Sequence, residues 1–288
     1  MNYLRGNATA SAVGLYVICR YLSNFADGLS IAELQKALEM LRSLDSAKTA
    51  KSAVLTASLN VGEGLDLLVQ DKQSSIWTVD ARIAAEMRTD ADQWLWFRGE
   101  LAHRMMQHAL SNSEGTVPDL VLGLTWFLQT NPLSPLQTAW RPTEKVVRDL
   151  GLEAVARSEQ WLPFQRWALA LGFARRSDQP SARVLIPDVS TAISDQLRHL
   201  PQSSSAREWV DAMQKRLPVT GVTALTDNLP QGGDGWSPLP QSVMLGLLKL
   251  ETAGALTLDP SDDARDVVAI GLGATSKQVG RISVRRVA

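Results

Sequence analysis

Cysteine is almost missing from this chain: Cys19 stands alone, so an internal disulfide and a cysteine-based zinc site are both excluded. Histidine is nearly as scarce. His103, His108 and His199 are the complete set. The first two stand five apart on one expected helix, roughly 140° apart around its surface, so they do not stack as a ligand pair. No apolar run approaches the roughly 18–20 residues that a membrane-spanning helix needs. Residues 1–10 carry no basic-then-apolar leader, so a reducing, cytoplasmic setting is expected. An excess of positive charge is also lacking. There are 29 lysines and arginines against 30 aspartates and glutamates, a formal net charge of -1. Each third of the chain is balanced, which removes the bulk basicity usual in dedicated DNA-binding domains. Any DNA contact must come from a local patch.

What is present is ordinary globular material: 288 residues, 45% hydrophobic and 20% charged, enough for two or three compact domains. Three stretches share one pattern: an apolar helix, a glycine that ends it, then two short strands about a polar turn. The first runs from Val54 to Val79, with Gly62 and Gly64 before strands Leu65–Val69 and Ile76–Val79. The second runs from Phe164 to Ile186, with Gly172 before Phe173–Arg175 and Arg183–Ile186. The third runs from Val243 to Ile270, with Gly254 before Ala255–Asp259 and Val267–Ile270. A helix that stops at glycine and enters a hairpin is the back half of a winged helix-turn-helix.

The front half is legible in the first stretch. Val13, Val17, Tyr21 and Phe25 recur every four residues, with Leu15, Ile18 and Leu22 beside them, which predicts a helix over 11–26. After Asp27-Gly28, Ser30 and Glu33 form a capping box ahead of Leu34, Leu38 and Leu41. A second capping box, Ser205 and Glu208, precedes Trp209, Met213 and Leu217. The expected fold is mainly α with small β-hairpins: about three tandem winged helix-turn-helix modules joined by helices. The modules divide at 1–89, 90–204 and 205–288, with a connector helix over 90–110. Gly221 to Pro240 is a linker rich in glycine and proline, and Arg281–Val287 is a final strand.

The outward face of the third helix in each module decides what it does. In the first, Thr49, Ser52, Thr56 and Asn60 fall on one stripe with Lys48 and Lys51 at its start, opposite Ala50, Val54, Ala57 and Val61. Short hydroxyls, an amide and two lysines suit phosphates and base edges; a plain solvated face has the same pattern. The second helix offers only Gln165 and Arg166 among apolar neighbours, and the third only Ser242 and Lys249. Helices that are apolar nearly all round are buried on several sides, so these two read as packing units. The second wing carries Arg175, Arg176 and Arg183, which suit phosphate contact or ordinary solubility equally. Gly271-Leu-Gly273 and Gly232-Gly233-Asp-Gly235 do not fit a phosphate loop. No nucleophile elbow occurs and no carboxylate pair stands out, so neither catalytic residues nor cofactors nor metal are expected. Cys19 lies in the first apolar helix and reads as a core residue. Trp77 reads as core, while Trp236 sits in the linker.

Two longer stretches carry a family resemblance. One is Leu124-Thr-Trp-Phe-Leu-Gln-Thr-Asn-Pro-Leu-Ser-Pro135, with Gln160–Phe173 and Ile186-Pro-Asp188. The other is Leu239–Gly254 with Asp259-Pro-Ser-Asp262. With the N-terminal module, they resemble the DpdG family of bacterial Dpd clusters, over nearly the whole chain. Those clusters insert 7-deazaguanine derivatives into DNA and restrict foreign DNA. The resemblance implies a role in antiviral defence beside helicases, nucleases and a base-exchange enzyme, and it brings no catalytic residues. Three functions remain open: a non-catalytic subunit that holds partner proteins and double-stranded DNA, a transcriptional regulator, and an accessory regulator of a helicase or nuclease.

Overall fold

The computed structural model describes residues 2–38, 53–89, 93–111, 116–179, 182–230, 235–261, 266–273 and 275–285. The chain is mainly helical with small antiparallel sheets. One connectivity recurs along it: helix, short strand, helix, helix, and further strands, two in the first and second units and three in the third, which also carries an extra short helix. In each sheet the short first strand pairs with the last one, which also pairs with the middle strand.

The first unit contains α1 (Ala12–Leu22), β1 (Leu29–Ser30), α2 (Ile31–Ala37), α3 (Ala53–Gly64), β2 (Leu68–Gln70) and β3 (Ile76–Val79). Ser11 caps α1 by accepting from the Gly14 N–H at 3.0 Å. The Ser30–Glu33 capping box starts α2 as expected. The buried stripe of α1 is Leu15, Ile18, Cys19 and Leu22, whereas Val13 is 53% exposed. The four-spaced set beginning at Val13 therefore marks the flank of the helix rather than its centre.

The exit from α3 also differs from expectation. Gly62 and Gly64 both lie inside the helix, and the left-handed residue is Asp66, at φ 54°. Gly62 is needed for contact instead: a Cβ there would come within 2.5 Å of Leu68, where the hairpin folds onto the helix. β3 then pairs with β2 and β1, placing Leu29 opposite Trp77. Trp77 is buried.

Two helices lead onward, α4 (Ala81–Met87), capped by Asp80, and α5 (Gln93–Ser111). The start predicted for α5 at Asp90 lies outside the described residues. Phe97, Leu101, Met105 and Met106 are buried, and α5 packs against both α1 and the later α9.

The second unit comprises α6 (Asp119–Gln129), β4 (Leu136–Gln137), α7 (Trp140–Leu150), α8 (Ser158–Ala170), β5 (Ala174–Gln179) and β6 (Ala182–Pro187). Here the glycine works as foreseen. Gly172, at φ 78°, ends the turn after α8. The strands run further toward the turn than the sequence indicated, pairing Ala174 with Pro187 through Gln179 with Ala182.

The third unit comprises α9 (Ser190–Gln196), β7 (Ser203–Ser205), α10 (Ala206–Arg216), α11 (Thr223–Thr226), α12 (Gln241–Thr252), β8 (Leu256–Pro260), β9 (Val268–Leu272) and β10 (Thr275–Val284). One correction is topological. The sequence pairs Ala255–Asp259 with Val267–Ile270, but β8 pairs with β10, and β9 forms its own hairpin with β10. The length of β10 permits both. Its first half meets β9, while its second half lies between β8 and β7. In that second half Ile282 is fully buried and Arg281 exposed, the predicted alternation. The described residues of 221–240 are more structured than a linker: they include α11, and Trp236 packs on the core with its indole N–H donating to the Pro230 carbonyl at 3.2 Å.

Candidate nucleic-acid interface

Of the first module's predicted stripe, Lys48, Thr49, Lys51 and Ser52 lie outside the described residues. Thr56 and Asn60 are placed. They stand one turn apart on α3, Thr56 half-buried and Asn60 exposed. Of the core stripe expected opposite them, Ala57 and Val61 are buried and Val54 is half-buried, and Leu55, Ser58, Leu59 and Gly62 are buried as well.

On the second wing, Arg175, Arg176 and Arg183 do not form one surface. Successive residues of a strand point to opposite faces, so Arg175 and Arg176 diverge. The Arg175 guanidinium, still 61% exposed, meets the Asp188 carboxylate at 3.3 Å. Arg183 is exposed, and its carbonyl accepts from both the N–H and the hydroxyl of Thr138. These bonds continue the pairing of β4 with β6.

Asp188 is the more informative residue. Its carboxylate is almost fully buried, yet it receives Lys249 from α12, Arg175 from β5 and the Ser190 N–H at the start of α9. Burial alone would raise its carboxyl. The hydrogen bonds from Lys249 and Ser190 outweigh burial and hold it below the ordinary carboxylate range. Lys249 and Arg175, exposed in a sequence reading, therefore lock the second wing to the third unit.

The remaining polar residues named on the two apolar third helices bond within the chain, Gln165 and Ser242 from buried positions and Arg166 from an exposed one. In α8, Gln165 donates to the Thr138 carbonyl at 3.0 Å, and Arg166 reaches the Ala8 carbonyl. In α12, Ser242 is fully buried and donates to the Leu128 carbonyl at 2.5 Å. Each of these bonds joins elements that are distant in the chain, and none presents a polar face to a groove.

The sequence reading overlooked a second junction. Asp119, at the first turn of α6, is buried. It accepts the consecutive backbone N–H groups of Tyr3 at 2.7 Å, Leu4 at 3.0 Å and Arg5 at 3.0 Å. The N-terminal strap thus wraps a carboxylate, and Tyr3 is fully buried edge-on against Trp167 at 5.9 Å. Burial, with the Asp119 charge, drives the Tyr3 hydroxyl far above the usual phenol range. The only sequence sign was an aspartate after Pro118, which reads as a helix start and nothing more.

Cys19 is buried as expected, its thiol pushed up to about 12 by burial against the opposing charge of Arg104. Among the described residues, no group of three histidine, cysteine, aspartate or glutamate side chains is placed to hold a metal ion. No helix among them is long and apolar enough to cross a membrane.

A family model described as DpdG-like matches residues 4–264. No curated protein and no solved structure matches the chain.

Proposed function

The chain belongs to the DpdG-like family, and from that premise we propose that it is a non-catalytic subunit of a bacterial Dpd antiviral system. On this reading its repeated units are three winged-helix modules, and their main work is to hold partner proteins of the system together. The observation that carries the reading is the fate of the helices at the recognition position. Gln165, Arg166, Ser242 and Lys249 all spend their polar groups on this chain's own backbone or carboxylates. A module that reads bases keeps such groups on an outward face; these two use them for packing. The shared connectivity of the three sheets supports the modular part of the reading.

The test is purification of the tagged chain from a host that carries its own gene neighbourhood. Helicase or nuclease products of that neighbourhood should elute with it. A chain that elutes alone at physiological salt contradicts the proposal.

One observation favours a second role, DNA contact by the first module. Asn60 is exposed and Thr56 half-exposed on the same face of α3. Replacing both with alanine should weaken a gel shift of duplex DNA if that face contributes. An unchanged shift removes α3 from consideration.

A further inference from the structure

Helix α5 leaves the first unit and docks on two helices of the third, α9 and α10. The approach to α9 is close. A Cβ on Gly99 would come within 3.1 Å of the Asp195 side chain, and the Gly99 carbonyl accepts from Gln196 at 2.8 Å. Beside it, Arg98 makes two bonds to Asp195, at 2.6 and 2.8 Å. The contact with α10 falls at the end of that helix. Gln107 donates to the Lys215 carbonyl at 3.1 Å. His103 meets Arg216 twice: its Nε2 lies 2.9 Å from a guanidinium nitrogen, and its Nδ1 lies 3.3 Å from the Arg216 carbonyl. The Arg216 Nε in turn donates to Gln196 at 3.0 Å. His103, Arg216 and Gln196 thus tie the three helices together.

Only one protonation state of His103 satisfies both contacts. A guanidinium only donates, so Nε2 is the bare nitrogen that accepts; a carbonyl only accepts, so Nδ1 carries the proton. The ring is therefore neutral. A second proton has one place to go, Nε2, where it points at the guanidinium from 2.9 Å. The bond is then lost, and two cations face each other across a half-buried contact.

We propose that His103 is a proton-controlled clasp, whose protonation frees the end of α10 from α5 and loosens the joint between the connector helix and the third unit. Charged groups act on the ring from each element packed around it. On α5, Glu100 favours the proton, and Arg104, its partner at 2.9 Å, opposes it. On α10, the Arg216 charge opposes it while the Arg216 carbonyl favours it. In the turn after α9, His199 is close enough to be lowered by His103, and Arg198 donates to His199 at 3.0 Å. On α9 itself, Asp195 is taken by Arg98. Burial first, and then Arg216, hold His103 below the ordinary histidine range.

The closed joint holds the ring neutral, and the open joint returns it to water, so the open state binds more protons. Closure is fully stabilised above the ordinary histidine value of 6.5 and weakens as pH falls through it. Asp195, at the same joint, has the opposite sign. Burial raises its carboxyl, so acid favours its folded form and it does not mimic the response. His199 bonds to its own neighbour Arg198 rather than across the joint.

The experiment is hydrogen exchange of the full chain at about pH 7.5 and about pH 5.5, read over residues 206–217 and corrected for the intrinsic pH dependence of exchange. At the lower pH, about one unit below the ordinary value of 6.5, an open-state histidine is protonated about tenfold over neutral. Opening of the α10 end should therefore rise several-fold, with a ceiling of about 10-fold. His103→Gln keeps a donor and an acceptor without titrating, and should abolish the rise. His103→Lys fixes the charge, and should show the faster exchange already at the higher pH. The His108→Gln, His199→Gln pair removes the other two histidines and should keep the rise. Unaltered thermal unfolding of His103→Gln at the higher pH shows that its fold is intact. Equal corrected exchange of the parent at the two pH values overturns the proposal without recourse to any variant. A rise that persists in His103→Gln, or that disappears in the His108 and His199 pair, also overturns it.

Discussion

Replacing Asp119 with alanine should release the N-terminal strap from the second unit. The carboxylate accepts the Tyr3, Leu4 and Arg5 N–H groups at 2.7–3.0 Å, and also the Leu120 N–H at 2.8 Å. A hydrogen bond to a charged group contributes roughly 1.5–3 kcal/mol, and an orphaned buried donor costs a similar amount. The full sum is not realised, because the strap can peel away and its N–H groups regain water. Peeling then forfeits the burial of Tyr3 against Trp167, about 2–3 kcal/mol. Both routes lead to a loss of about 3–5 kcal/mol, a large share of the 5–15 kcal/mol typical of folded domains. Urea unfolding followed by tryptophan fluorescence measures the loss. Hydrogen exchange at Tyr3, Leu4 and Arg5 should accelerate in the same variant. Asp119→Asn keeps one acceptor oxygen and should fall between. A variant within about 0.5 kcal/mol of the parent, with those amides still protected, refutes the reasoning.

Gly172→Ala should cost about 2 kcal/mol or more, because a β-carbon at φ 78° also meets Thr191 at 2.8–2.9 Å. Gly6→Ala, also at φ 78° but in open space, should cost only about 1 kcal/mol; equal losses at the two sites would discount the packing argument. Asp188 has a folded pKa below its unfolded value, so its stabilisation is present above pH 4 or so and is lost as pH falls through the folded value. Asp188→Asn should therefore flatten the acid limb of stability below the ordinary carboxylate range, measured by thermal unfolding. Asp195 has the opposite sign. Burial raises its carboxyl despite Arg98, so the parent loses stability as pH rises just above the ordinary carboxylate range, and Asp195→Asn should abolish that slope.

Local signals were the legible part of this fold. The Ser30–Glu33 and Ser205–Glu208 boxes, and glycines at 172 and 254, act within a few residues, and the structure contains each of them. The short strands β1, β4 and β7 were not legible. Two or three residues carry no period, and these segments become strands only because β3, β6 and β10 lie beside them. The same limit explains the β8 pairing, since an adjacent apolar segment looked like the partner that the more distant β10 supplies. At the candidate interface, the sequence named Arg175 from composition but had no means of seeing Asp188 beneath it.

Native mass spectrometry of the chain expressed with the rest of its gene neighbourhood tests the subunit reading most directly. The account predicts a complex in which this chain is present at a fixed ratio to at least one helicase or nuclease product. It also predicts that the complex survives nuclease treatment, since protein contacts hold it. A spectrum showing only the free 31.4 kDa chain beside its uncomplexed neighbours would contradict the account.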